Sequence, residues 1–156
     1  MRIIDKQGPL YNPADRDHCL QYAVAIALIH GELRAEHYEA DAARDPRVDR
    51  LRACMSVEEN RQYSVDYLDP EKRSIANSLQ IFFDDGTATE EVAVEYPVGH
   101  RRRRAESLPL LFTKLRDNLS GQLPPDRVDT LITVFRERTR LEKLTVPELI
   151  ELFIRA

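Results

Sequence analysis

From Cys19 to Ile29 the chain carries a single strongly polar residue, Gln21. A helix that is apolar on every side is buried on most of them. Asn12 followed by Pro13 marks its start: an oxygen-bearing side chain to cap free amides, then a residue with no amide hydrogen to leave unpaired. Gly31 marks its end. The pattern predicts a helix over about 13–29 and a shorter one over 35–42. Asp45-Pro46 opens a third, with Val48, Leu51 and Met55 at three- to four-residue spacing. Residues 2–5 suit a short strand. Residues 56–73 are polar and acidic, with Tyr63 and Tyr67 interleaved, and show no clean period. Alternation then takes over. Ile75, Asn77, Leu79, Ile81 and Phe83 fall on one face of a strand, Asp84-Asp85-Gly86-Thr87 forms a tight turn, and Val92, Val94 and Tyr96 alternate on the return. Helical spacing resumes with Ser107 as a cap before Leu111, Leu115 and Leu119. Pro124-Pro125-Asp126 opens a helix with Val128, Leu131, Ile132 and Phe135 on one stripe. Thr145-Val-Pro-Glu148 matches a capping box ahead of Leu149, Leu152 and Phe153.

A hairpin framed by helices, without strand–helix–strand alternation, predicts an α+β fold. The expected architecture is an antiparallel, hairpin-containing sheet packed with helices, followed by a helical carboxy-terminal tail. Gly121 to Pro125 is the best boundary, giving an α+β region over 1–120 and a tail over 121–156.

Composition narrows the function. With 156 residues, 42% of them apolar, the chain has one core-forming domain, with or without an appendage. Its 23 basic and 27 acidic residues leave a net charge of −4, which argues against a general nucleic-acid binder. No run of about 18 apolar residues occurs, so no membrane span is expected, and the first residues lack the apolar core of a secretory signal. Cys19 and Cys54 lack metal-ligand spacing and point to a reducing, cytoplasmic setting with no disulfide. No metal or other cofactor is expected, because zinc-ligand spacing, a glycine-rich phosphate loop and a Gly-x-Ser-x-Gly elbow are all missing.

Two polar segments stand out. Asp15, Arg16, Asp17 and His18 crowd the mouth of the apolar helix. His100 followed by Arg101, Arg102, Arg103 and Arg104 forms the basic cluster of the chain. Each has a plain structural reading. Acids in the first helical turn favour the helix dipole, and a charge run is commonly solvated, here paired with the acidic 56–73 segment.

Gly8-Pro-Leu, Asn12-Pro-Ala-Asp-Arg-Asp-His-Cys19, Gln21-Tyr22, Asp69-Pro-Glu-Lys-Arg73, Ile75-Ala-Asn77, the Asp85-Gly-Thr87 turn and Val94-Glu-Tyr-Pro-Val-Gly-His100 together resemble the carboxy-terminal portion of the MmgE/PrpD family. Their order and spacing fit one continuous alignment from residue 1 to about 155. The likeness is greater to members that dehydrate 2-methylcitrate than to those acting as cis-aconitate decarboxylase or iminodisuccinate epimerase. It implies a two-domain hydro-lyase of propionate breakdown that works without an iron–sulfur cluster. It also implies a large helical domain outside these 156 residues, a return of the last helices onto that domain, and a homodimer or larger oligomer. The histidines and lysine usually proposed for catalysis lie mostly in the helical domain. None is matched here, so no catalytic residue is assigned and the chain alone is expected to be inactive.

Dehydration of a hydroxy acid needs a base, an acid and cations that orient the carboxylates. Under the resemblance, the candidates for binding a tricarboxylate are Arg16, His18, His100, Arg101 and Arg102, with Asp15 or Asp17 as orienting partners. The competing class is a non-catalytic interaction module that binds a partner chain or a carboxylate.

Overall fold

The computed structural model describes residues 3–154. The described residues are α+β: helices and one small two-stranded antiparallel sheet. Its contacts fall into two compact units that meet in sequence at Asn60 and Arg61.

The first unit begins with α1 (Pro13–Asp17) and α2 (Leu20–His30). The single helix predicted over 13–29 is therefore broken. Cys19 is extended, with φ −121° and ψ 110°, and the Leu20 amide donates to the Ile4 carbonyl at 2.9 Å. This bond from a distant segment replaces a local helical one, and no local pattern announces it. Of the strand expected over 2–5, Arg2 lies outside the described residues, and residues 3–5 form no strand. Gly31 ends α2 in the left-handed region at φ 75°, where a side chain would be strained. The helix expected over 35–42 is a 3₁₀ turn (Ala35–Tyr38) followed by α3 (Ala40–Ala43). In α4 (Pro46–Ala53), the Asp45 side chain caps the Arg47 amide at 2.9 Å. Cys19, Tyr22, Ala25, Ile26 and Val48 form a buried cluster between α2 and α4, flanked by Leu10, Ile29, Tyr38, Leu51 and Met55. The far side of α2 is open: Leu28 is 49% exposed, although the all-round apolar pattern predicted burial on most sides.

The second unit opens with α5 (Arg61–Leu68), a helix that the polar 56–73 segment did not announce. The hairpin forms, but its paired strands are short: β1 (Asn77–Leu79) against β2 (Val92–Val94), in the register Asn77–Val94, Ser78–Ala93 and Leu79–Val92. Phe82 and Ala88 add one bridge nearer the turn, and Gly86 holds φ 84°. The residues of both strands are exposed throughout.

The following helix starts before its expected cap. In α6 (Arg104–Ser120), Ser107 is buried and its hydroxyl donates to the Arg104 carbonyl at 3.0 Å. Arg103 pairs with Glu106 at 2.7 Å and supports this earlier turn. Pro109 thus lies inside the helix instead of in its first turn. α7 (Pro125–Arg136), α8 (Arg138–Leu141) and α9 (Val146–Glu151) follow, the last with its Thr145–Glu148 capping box formed. Leu123, Val128, Leu131 and Ile132 make a second buried cluster, with Phe112, Leu115, Leu119, Phe135 and Leu152 packed on it. Leu111, expected on the stripe of α6, is 53% exposed; Phe112 takes the inward position at the same helical spacing.

Candidate functional site

Asn12 accepts the Asp15 amide at 2.9 Å and starts α1. The Asp15 carboxylate in turn accepts from the Tyr11 amide at 3.1 Å and from Lys6 Nζ at 3.2 Å. The Tyr11 amide bond, more than Lys6, holds the Asp15 carboxyl below the usual aspartate range. Asp15 therefore acts as a cap and an ion-pair partner. His18 closes α1 from the exposed side and meets Asp17 through Nδ1.

Arg16 turns the other way. It is 6% exposed, and its Nη1 donates to the Tyr38 carbonyl at 2.6 Å. Arg52 from α4 is 9% exposed; its Nη2 donates to the Gly8 carbonyl at 2.8 Å and its Nη1 to Asp49 at 2.7 Å. The two guanidiniums line one cleft of about 130 Å³ together with Pro9, Leu10, Tyr22, Ala43 and Asp49. A wider cleft of about 400 Å³ shares Pro9, Asp49 and Arg52 with it and adds Lys6, Gln7, Gly8 and Ala53. Tyr22 donates its hydroxyl to the His37 carbonyl at 2.6 Å. Burial pushes the Tyr22 phenol up from its usual value, against the pull of Arg16 and Arg52.

Nε of Arg16 and Nε of Arg52 are both buried and have no hydrogen-bond partner. An unmet buried donor costs about 1–3 kcal/mol, more when charged. Most polar atoms of buried side chains have a partner. The arrangement suits holding an anion. It offers no free base for a carbon-bound proton, since Asp49 is committed to Arg52.

Arg52 escaped the sequence analysis because its neighbours Asp49 and Arg50 make α4 look solvated. The available signal was its position one turn after Val48, on the face that carries the core. His18 is not among the residues that line the cleft.

In the second unit, His100 caps the 3₁₀ turn Arg101–Arg103. Its Nδ1 accepts the Arg102 amide at 3.2 Å, which leaves Nε2 to donate to the Arg73 carbonyl at 3.1 Å. Arg102 donates to the Glu71 carbonyl at 2.7 Å and to the Tyr96 hydroxyl at 2.8 Å, with its guanidinium 4.8 Å from the Tyr96 ring centre. Arg101 reaches the Pro70 carbonyl at 3.4 Å. His100, Arg101 and Arg102 thus come together, clamping the 70–73 backbone to the segment after β2. Their partners are mainly carbonyls of that segment, not its acidic side chains.

Residues 1–138 match the model of the MmgE/PrpD C-terminal domain. The chain is 49% identical over 154 residues to the 2-methylcitrate dehydratase of Escherichia coli K12, an alignment covering 99% of this chain and 32% of that protein. It is 49% identical over 153 residues to the 2-methylcitrate dehydratase of Cupriavidus necator, covering 98% and 32%. It is 43% identical over 155 residues to the mitochondrial 2-methylcitrate dehydratase of Yarrowia lipolytica, covering 99% and 29%. The chain therefore spans about a third of the length of these relatives. An alignment this continuous, on a match to most of the chain, settles the affiliation: the chain belongs to the MmgE/PrpD family and corresponds to its C-terminal domain.

Proposed function

We propose that the chain is the carboxy-terminal portion of a 2-methylcitrate dehydratase-like hydro-lyase, which converts 2-methylcitrate to 2-methyl-cis-aconitate in propionate catabolism. The observation that carries this reading is 49% identity across nearly the whole chain to enzymes of that name. The substrate carries three carboxylates, and the candidates for binding them are Arg16, His18, His100, Arg101 and Arg102. Arg16 is the best supported, because it is buried in a cleft with an unmet donor. His18 is supported by its open position and its Asp17 partner. For His100, Arg101 and Arg102 the support is their joint position in the segment after β2, although each also holds the 70–73 backbone.

The acid–base groups come from the helical portion of the intact enzyme. Residues 1–120 form the α+β region, and the tail over 121–156 packs on that helical portion. Val146 at 74% and Ile150 at 54% exposed give α9 an apolar face to cover. The bare hairpin and the far side of α2 offer more such surface, and large exposed apolar patches drive association. The intact enzyme is a cytoplasmic homodimer or larger oligomer. Among the described residues, no helix is long and apolar enough to cross a membrane.

The reading is tested by following the unsaturated product by absorbance with purified chain and 2-methylcitrate. The chain alone gives no turnover. Turnover in the usual enzyme range of about 1–1000 per second from this chain alone would overturn the assignment of chemistry to the helical portion.

A further inference from the structure

The Arg16–Arg52 cleft has a charge imbalance that its own residues do not resolve. Its lining holds two guanidiniums and one carboxylate. That carboxylate, Asp49, is bonded to Arg52 and leaves 75% of its side chain in solvent. Both arginines are more than nine-tenths buried, and each keeps Nε unpartnered. In Arg16 the Tyr38 carbonyl takes Nη1, so the edge left for a further acceptor is the one that bears Nε. A planar guanidinium edge of this kind accepts the two oxygens of a carboxylate side by side.

We propose that this cleft binds one carboxylate group of a small organic acid, with Arg16 as the fork and Arg52 as the second cation. The residual charge of the lining is +1, from two arginines and one aspartate, which matches one carboxylate and is overfilled by a phosphate dianion. Pro9, Leu10, Ala43 and Tyr22 add no charge to the rest of the wall, so Asp49 is the one lining carboxylate that competes with a ligand for the arginines. A water takes about 30 Å³ of liquid, so a cleft of about 130 Å³ has room for a carboxylate. The rest of the acid extends into the wider cleft, which shares Pro9, Asp49 and Arg52 with the small one. The choice of a polycarboxylic acid rests on the lyase reading above; the cleft itself asks only for one carboxylate.

The test uses citrate, tricarballylate and inorganic phosphate at matched ionic strength. The full chain is labelled with nitrogen-15, and arginine Nε–H signals are followed by NMR and assigned with Arg16→Lys and Arg52→Lys. Citrate and tricarballylate are expected to move the Arg16 and Arg52 signals saturably, and phosphate is expected to leave them. Arg52→Lys is expected to weaken citrate binding about ten- to a hundredfold, while Arg47→Lys on the exposed face of α4 leaves it unchanged. Unmoved Arg16 and Arg52 signals in the unmodified chain overturn the proposal without recourse to any variant. Equal movement by phosphate overturns the preference for carboxylate. Citrate binding in a chain that dehydrates 2-methylcitrate in no assembly would keep the cleft and remove the lyase reading. Turnover in a reassembled enzyme with unmoved arginine signals would do the reverse.

Discussion

Helix α2 and the hairpin are both rich in apolar side chains, yet the fold treats them in opposite ways. Tyr22, Ala25 and Ile26 of α2 are at most 1% exposed, sealed against Val48 of α4. On the hairpin, Leu79 is 41%, Val92 64% and Phe82 74% exposed. The difference lies in what packs on them. α2 finds its partner, α4, within the same unit, whereas neither face of the two-stranded sheet is covered by its own unit. An apolar pattern reports which face wants cover; it does not say that the same chain supplies it.

The largest test of this contrast is stability. Ile26→Ala should cost about 2–5 kcal/mol, the range for emptying a buried aliphatic site. Val92→Ala should stay within about 0.5 kcal/mol, as for an exposed residue. Hydrogen exchange of α2 amides reads the first and of β1–β2 amides the second. Equal costs would mean that the hairpin is covered in the free chain.

Association comes next. The exposed hairpin and the α9 face should drive the chain to dimers or larger species as concentration rises. Val92→Lys and Ile150→Lys should each weaken this. Light scattering across a concentration series checks it, and a strict monomer at high concentration would show that these faces are tolerated bare.

The same contrast sets what was legible beforehand. Local signals survived: Gly31 stops α2, Asp45-Pro46 opens α4, Thr145 and Glu148 cap α9, and Gly86 turns the hairpin. Features set by distant partners did not. The break at Cys19 depends on the Ile4 carbonyl. The early start of α6 is tied to the chain ahead of the helix, where Arg103 donates to the Tyr96 carbonyl at 2.9 Å as well as pairing with Glu106. Helix α5 has none of its residues buried, so no apolar period marks it. At the site, Arg16 was legible because it stands in a dense polar segment. Arg52 was not, because its burial follows from a bond to Gly8, 44 residues away.

A smaller effect separates the two cysteines. Cys19 is 1% exposed at the head of α2, while Cys54 lies exposed after α4. Thiol reagents should label Cys54 quickly and Cys19 only on the timescale of unfolding. Equal rates would mean that the first unit opens readily.

The smallest expected effect is at the cap of α4. Hydrogen bonds from the Arg47 side chain and then its amide pull the Asp45 carboxyl down to about 2. A lowered carboxyl contributes stability that is complete above its unfolded value near 3.8 and is lost as pH falls through about 2. Asp45→Asn should flatten the stability profile across that window, and carbon-13 NMR of the Asp45 carboxyl should show the low midpoint directly. A midpoint near 3.8 would mean that the cap is not formed in solution.

Under the proposed function, this chain binds the substrate and the helical portion of the enzyme performs the chemistry. The most direct test is 2-methylcitrate turnover by the chain mixed with a separately produced helical portion of the Escherichia coli relative. Turnover is expected from the mixture and from neither part alone, with Arg16→Met in this chain lowering it. A mixture as inactive as its parts, despite forming a stable complex, would contradict it.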